Sequence, residues 1–371
     1  MPYASQKQRM MKQQVTVNPE LLAGALKKLS PAVNNNSVLP ITESVKISVK
    51  KDHIVLTATN LSKTLVNKVE ATSNVEFEML CMFSELLKIA SVLFIPMIIT
   101  LDAKKITIES GFDNYELGKA EDVAQFPSLP EMDNPYELDL TGDMIQSMVA
   151  AAKLADPKDY RFANICLHFQ GNKMSVVGLT GQYMYIKSFE IEKAFDKELK
   201  VLIPFDYMPT IADIPAAKVY FTNRNICTEY ADLKSIIVLS ENSFPGYEQI
   251  LNAYHPIFEN HFNFTSFRNA LNKLTVFQSL VSTVGLNLSK DGIELEFNDP
   301  NTARQSKTNI DAIMQTTLNR IAFNIPTLNR ALSTLPKSVD ELEFSATANN
   351  KPAYFRPKSD EHCKVLVMPT I

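Results

Sequence analysis

Lysine and arginine recur at matching places in a series of amphipathic segments, and a repeated row of cations is chemistry suited to a polyanion. In the first segment Leu22, Ala25, Leu26 and Leu29 form a packing stripe at the 3.6-residue period, while Lys28 points away and Lys27 flanks it. In a later one Phe267, Ala270, Leu271 and Leu274 pack and leave Arg268 and Lys273 to solvent. In the last, Leu328, Ala331, Leu332 and Leu335 pack and leave Arg330 and Lys337. Lys88 and Lys153 extend the pattern to two more, and the acids Glu20, Glu85 and Asp143 fall in first turns, where they complement the helix dipole. One such lysine is ordinarily a solvated helix face. Agreement among five of six related segments points instead to a phosphate backbone, held without reading bases. The net charge is -4, so the acids must concentrate elsewhere, as suits a chain that meets a polyanion on one surface.

Catalytic patterns fail by comparison. GFDNYELGKA, from Gly111, ends in Gly-Lys like a phosphate loop, but the spacing is too long, Ala120 replaces Ser or Thr, and the context is strands without a following helix. His53, His168, His255, His261 and His362 lie far apart and read as surface or strand histidines; His255 and His261 are badly spaced for two ligands on one helix face. Cys81, Cys166, Cys227 and Cys363 show no paired spacing and read as reduced, buried thiols. With 10 glycines there is no dinucleotide fingerprint and no nucleophile elbow, and the carboxylates form no evident acid-base pair. No enzyme, metal or cofactor is implied.

The elements that carry the cations repeat. Alternating apolar strands run into helix starts at QVTVNPELLAGAL, EMLCMFSELLKIA, ELDLTGDMIQSMV, KVLIPFDYMPTIA, FNFTSFRNALNKL and IAFNIPTLNRALSTL. The junctions Asn18, Cys81, Thr141, Pro204, Thr265 and Pro326 stand about 60 to 63 residues apart, too evenly for chance. Asn18, Thr141 and Thr265 suit an N-cap, and Pro19 suits a first turn. Asp206, Pro209 and Asp213 break the pattern in the fourth helix. Alternating segments such as KISVKKDHIVLTAT follow each helix and read as antiparallel strands with one buried face.

One unit of about 60 residues buries too little surface alone, so units should pair into three domains. Proline-rich joints around Phe126 and Phe244 place these at 14–135, 136–256 and 257–371, after a polar tail over 1–13 that lacks the apolar core of a signal peptide. The fold class is α+β. A content of 45% hydrophobic and 21% charged residues is that of an ordinary soluble chain, and no apolar run reaches the roughly 18 residues that span a bilayer. The expectation is a cytoplasmic protein with no membrane partner.

On these residues the chain resembles the sliding clamp family, the β subunit of bacterial DNA polymerase III. The resemblance is carried by Leu39-Pro40-Ile41, Ala58-Thr59-Asn60-Leu61, Phe126-Pro127, Phe244-Pro245-Gly246-Tyr247 and Val367-Met368-Pro369, in order along the sixfold repeat. It implies a DNA clamp fold closed as a ring by a head-to-tail homodimer, helices inside and antiparallel sheets outside, encircling duplex DNA as the processivity factor of a polymerase in DNA replication. It also implies a cleft between the second and third domains that takes short linear peptides of the polymerase and the clamp loader. Carried over by position, the cleft would include Phe162, Leu179, Gly181, Met184, Pro245, Ile250, Leu366, Met368 and Pro369. The dimer interface would set Tyr115 and Leu117 of an edge strand against Val276 and Phe277 of the partner. The chain departs from the family at Leu179-Thr180-Gly181-Gln182-Tyr183-Met184, where charged groups that would orient a partner peptide are missing, and at its Thr370-Ile371 ending. A divergent clamp is the expectation. A ring-shaped scaffold that binds peptides but no DNA is the alternative.

Overall fold

The helices start where a short apolar strand reaches a side chain able to hold the first free N–H groups. In the computed structural model, which describes residues 12–34, 39–102, 105–119, 122–274, 283–299 and 303–370, strand Gln13–Val17 leads into helix α1 (Pro19–Leu29). The Asn18 carboxamide oxygen accepts from the N–H of Glu20 at 2.9 Å and of Leu21 at 3.4 Å, and Pro19 has no N–H to satisfy. Strand Phe77–Met82 leads in the same way into α2 (Phe83–Val92), here with no side-chain cap.

The chain divides into two compact units. The first takes residues up to Leu140 together with Ala216–Val238. Its longest strand, Lys63–Ser73, is the branch point: it pairs antiparallel with Gln13–Val17, His53–Thr59 and Leu233–Val238. Asn67 stands opposite Leu233 and Lys63 opposite Ile237, so the late segment Ala216–Val238 continues a sheet begun at the N-terminus. At the far end of that sheet Asp113–Lys119 pairs only with Lys105–Ser110 among the described residues. One face is covered by α1 and α2, whose Leu22, Leu26, Leu29, Leu86 and Ile89 bury against Val15, Ile47, Leu56 and Ile99. Alternation along Lys105–Ser110 and the later part of Lys63–Ser73 supplies buried rows, as the period-2 pattern requires.

The second unit, Thr141–Pro215 with Leu239–Ile371, carries α3 (Gly142–Ala152), α4 (Met208–Ile211), α5 (Tyr247–Ala253), α6 (Phe264–Leu274) and α7 (Ile325–Leu332). The long hairpin Asn164–Leu179 with Tyr183–Pro204 begins its sheet, which runs on through Cys363–Val367, Ala353–Pro357, Glu341–Ser345 and Asn260–Asn263. Phe262, Phe267, Phe323, Phe344 and Phe355 fill the core beneath α6 and α7 with ring centroids 4.8 to 6.5 Å apart. Gly178 is required on its strand, since a Cβ there would stand 2.3 Å from the Ala151 carbonyl oxygen at the end of α3.

Several local readings change. The cap of α6 is Asn263, whose side chain accepts from the Ser266 N–H at 2.8 Å, so Thr265 lies inside the first turn. In α7 the cap is Asn324, which accepts from the Thr327 N–H at 3.0 Å, and the helix stops at Leu332. Leu335 is buried past its end, and Lys337 is exposed on the following turn. The fourth helix shrinks to four residues, with Pro215 four positions past its end disfavouring helical backbone at Ile214. Conversely α5 forms inside the segment read as a proline-rich joint. The Gly-Lys segment lies on the strand Asp113–Lys119, as expected. Among the described residues no helix is long and apolar enough to cross a membrane.

Candidate functional site

Two features gather the residues singled out by sequence: exposed cations on the helices and an apolar cluster in the second unit. On α1 the lysines Lys27 and Lys28 occupy the last turn, opposite the buried stripe. With Lys68 they line an open cavity of about 980 Å³ that also carries Glu20, Glu70 and Asp232. Lys88 on α2 and Arg268 and Lys273 on α6 are exposed. The Arg268 guanidinium lies 5.4 Å from the Phe264 ring centroid, which holds its stem along the helix.

Lys153 and Arg330 are exposed but engaged. Lys153 Nζ donates to the carbonyl of Ser333 at 3.1 Å, and Arg330 donates to the carbonyls of Lys153 at 3.0 Å and Ala155 at 2.8 Å. Each cation therefore satisfies carbonyls left free at the other's helix end, a favourable place for positive charge. Sequence spacing could not reveal this, because the two residues meet only through packing of α3 beside α7.

Four of the groove candidates fall in one apolar cluster: Leu179, Met184 and Leu366 are buried in it, and half-buried Phe162 packs against it. Met184 stands opposite Leu366 where Tyr183–Pro204 pairs with Cys363–Val367. The sequence reading left out Cys166, Val177, Ile186, Leu202, Tyr247, Tyr354 and the half-buried Phe244, Leu251, Tyr254 and Phe258, which complete the cluster. Only the apolar residues within the proline-rich joint hinted at them. Pro245 precedes α5 and accepts from the Tyr247 N–H at 2.8 Å, while Ile250 on α5 is 39% exposed. Gly181 is exposed in the turn before Tyr183. Met368 is 38% exposed, yet its N–H donates to the Gln182 carbonyl at 2.8 Å, and the Thr370 N–H donates to that of Ala322 at 2.8 Å. The chain end is thus docked through Thr370 beside a row of apolar side chains, with Pro369 half-buried between.

Tyr247 also ties the apolar cluster to a polar group. His168, on Asn164–Leu179, is buried, which the strand reading did not foresee. Its ring bridges Glu198 and the Tyr247 hydroxyl, and Glu248 lies beside it paired with Lys200. The ligand atoms of His168, Glu198 and Glu248 lie within 4.8 Å of one another, but the Lys200 ammonium already supplies the cation, so the group reads as an ion-pair network. Burial holds His168 below its ordinary value, against the pull of Glu198. The four cysteines are free and buried, and burial pushes Cys81, Cys166 and Cys363 up to about 12 and Cys227 to about 11. They are packing residues.

Of the interface residues, Tyr115 and Leu117 are half-buried on the edge strand Asp113–Lys119 and pack against the first unit's core. Val276 and Phe277 lie outside the described residues.

The fold is the one seen in solved DNA sliding clamps. The solved sliding clamp of Pseudomonas aeruginosa bound to griselimycin matches with a TM-score of 0.87 at 17% identity, over 96% of this chain and 99% of that one. The β subunit from the DNA polymerase of Streptococcus pyogenes matches with a TM-score of 0.86 at 20% identity and the same coverage. In sequence, residues 13–130 match the family described as DNA polymerase III beta subunit, N-terminal domain. A beta sliding clamp of Staphylococcus epidermidis is 19% identical over 377 residues, covering 95% of this chain and 98% of that protein. At these identities the chain is similar to bacterial DNA polymerase III β subunits over nearly its whole length.

Proposed function

We propose that this chain is a sliding clamp: a non-catalytic ring that encircles duplex DNA and tethers a DNA polymerase for processive synthesis. What carries the reading is the clamp fold along 96% of the chain, joined to sequence kinship over 95% of it. In this reading three domains, 14–135, 136–256 and 257–371, contribute to a ring that two copies close. Lys27, Lys28, Lys88, Arg268 and Lys273 hold the phosphate backbone through water and counterions, strongly enough to retain DNA and without base contacts that would stop sliding. Lys153, Arg330 and Lys337 belong to the same proposed set, the first two serving also as helix-end partners.

The apolar groove takes a short linear peptide from the polymerase or the loader. Leu179, Met184 and Leu366 form its floor, and Phe162, Gly181, Pro245, Ile250, Met368 and Pro369 form its rim. Affinity would come from apolar burial, at about 25 cal/mol per Å² before the entropy of ordering the peptide is subtracted. For the dimer, Tyr115 and Leu117 lie on an edge strand that needs a partner. In the second unit Arg304–Ile313 pairs with Gly292–Asp299 along its length but with Asn260–Asn263 only through Ala312 and Ile313. It offers a second copy the complementary edge. A primer-extension assay with the host's polymerase and loader tests the reading. Products should lengthen from tens to thousands of nucleotides per binding event, and unchanged product length in the presence of an active loader would refute it.

A further inference from the structure

His168 sits mid-strand at 2% exposure with both ring nitrogens engaged. Nε2 lies 2.8 Å from Glu198 Oε1 on the neighbouring strand, and Nδ1 lies 2.5 Å from the hydroxyl of Tyr247, the first residue of α5. An ionised carboxylate only accepts, so Nε2 carries the proton and the Tyr247 hydroxyl donates to Nδ1. Glu248, the next residue of α5, stands 3.5 Å from the same nitrogen and is paired with Lys200, whose ammonium is 5.6 Å from the Tyr247 ring centroid.

With seven residues, α5 is too short to hold its own conformation and must be fixed from outside. Its Tyr247 ring is buried in the groove cluster while Ile250 stays exposed. We infer that His168 is a positioning residue of the partner groove: through Tyr247 it fixes the register of α5 and so places Ile250 and Leu251 along the groove wall. The inference rests on the groove being the partner site proposed above.

The arrangement makes that wall sensitive to protons. Charging His168 turns Nδ1 into a donor, so the Tyr247 hydroxyl must switch to accepting from it and its own hydrogen loses its acceptor. Glu248, the nearest other acceptor, is already held by Lys200. The charged and titratable groups facing the ring are Cys166 on its own strand, Glu198 and Lys200 on the neighbouring strand, and Tyr247 and Glu248 on α5. Burial first, aided by Lys200 and opposed by Glu198 and Glu248, holds His168 below its ordinary value of 6.5. His168 buried against docked α5 therefore binds a proton less readily than a solvent-exposed imidazole. Docking is complete above pH 6.5 and weakens as the pH falls through the lowered value.

Hydrogen exchange on the full-length protein, corrected for intrinsic rates and read at residues 247–253 against α6, tests this without any peptide. Protection of α5 should fall about five-fold between pH 7.5 and 5.5, the worth of one hydrogen bond. His168→Phe should leave α5 poorly protected at every pH. Glu198→Gln keeps an acceptor but removes the charge that favours imidazolium, so the midpoint should move to lower pH. A pH-independent wild type, the same pH response in His168→Phe, or an unmoved midpoint in Glu198→Gln would each overturn the inference. Glu198 is more than half exposed and tolerates change, so this last variant decides the matter should His168→Phe fail to fold. Failure of the partner-site reading would show separately, as loss of polymerase binding to a protein whose α5 still responds to pH.

Discussion

Lys153 and Arg330 hold each other's helix ends: Lys153 Nζ donates to the Ser333 carbonyl beyond α7, and Arg330 donates to the Lys153 and Ala155 carbonyls beyond α3. Arg330 also lies 5.9 Å from the ring centroid of Tyr183, the residue before Met184 of the apolar cluster. Replacing Arg330 with Ala leaves two helix-end carbonyls to water and should lower the melting temperature by about 2–4 °C. Scanning calorimetry checks this. An unchanged transition would mean that the reciprocal bonds add nothing in solution.

The same relationship separates the cations by role. Substituting Lys28, Lys88 or Lys273 with Ala should each reduce the slope of log K against log salt for duplex DNA by about 1. Lys153→Ala should change it much less, because that ammonium is already on a carbonyl. Fluorescence anisotropy across a salt series measures all four. Equal slopes for every variant would remove these helices from the DNA surface.

Gly178→Ala should be severe. The added methyl meets the Ala151 carbonyl oxygen at 2.3 Å, backbone against backbone, with no flexible side chain to yield. A loss of roughly 3 kcal/mol is expected in urea unfolding. A loss under about 0.5 kcal/mol would mean that α3 moves off its strand freely.

Much of this was legible in the sequence, because the apolar stripes of α1 and α6 and the alternating strands follow periods that packing enforces. Leu22, Leu26, Phe267 and Leu271 are all fully buried, as their spacing requires. The ends of elements were less legible. Asn263 and Thr265 are both plausible caps, and only the hydrogen bond to Ser266 chooses between them. Helix α5 hid behind Pro245 and Gly246, which signal a turn, and it exists through the anchoring of Tyr247 rather than through propensity. His168 and the Lys153–Arg330 pair were invisible for one reason: their partners lie at sequence separations of 30 to 180 residues, and no local pattern encodes them.

The cysteines give a chemical check on packing. Thiol reagents attack the thiolate, and Cys81, Cys166 and Cys363, pushed up to about 12, are almost wholly protonated at pH 8. Folded protein should react with Ellman's reagent at least about a hundred-fold more slowly than unfolded protein, and all four thiols should titrate in guanidinium. Rapid reaction of any thiol in the folded state would contradict its burial.

Charge on the edge strand tests the assembly. Leu117→Glu puts a carboxylate on the strand Asp113–Lys119, where the proposed partner strand would pair. Sedimentation equilibrium should show dimer for the wild type and monomer for the variant. A variant that remains dimeric would move the interface elsewhere.

Topological retention on DNA tests the central claim most directly. Protein loaded onto a nicked circular plasmid with a compatible loader should co-elute with the circle in high salt and be released once the plasmid is cut to a linear form. Protein that never joins the circle despite an active loader, or that stays equally bound after cutting, would contradict encirclement and favour a peptide-binding scaffold.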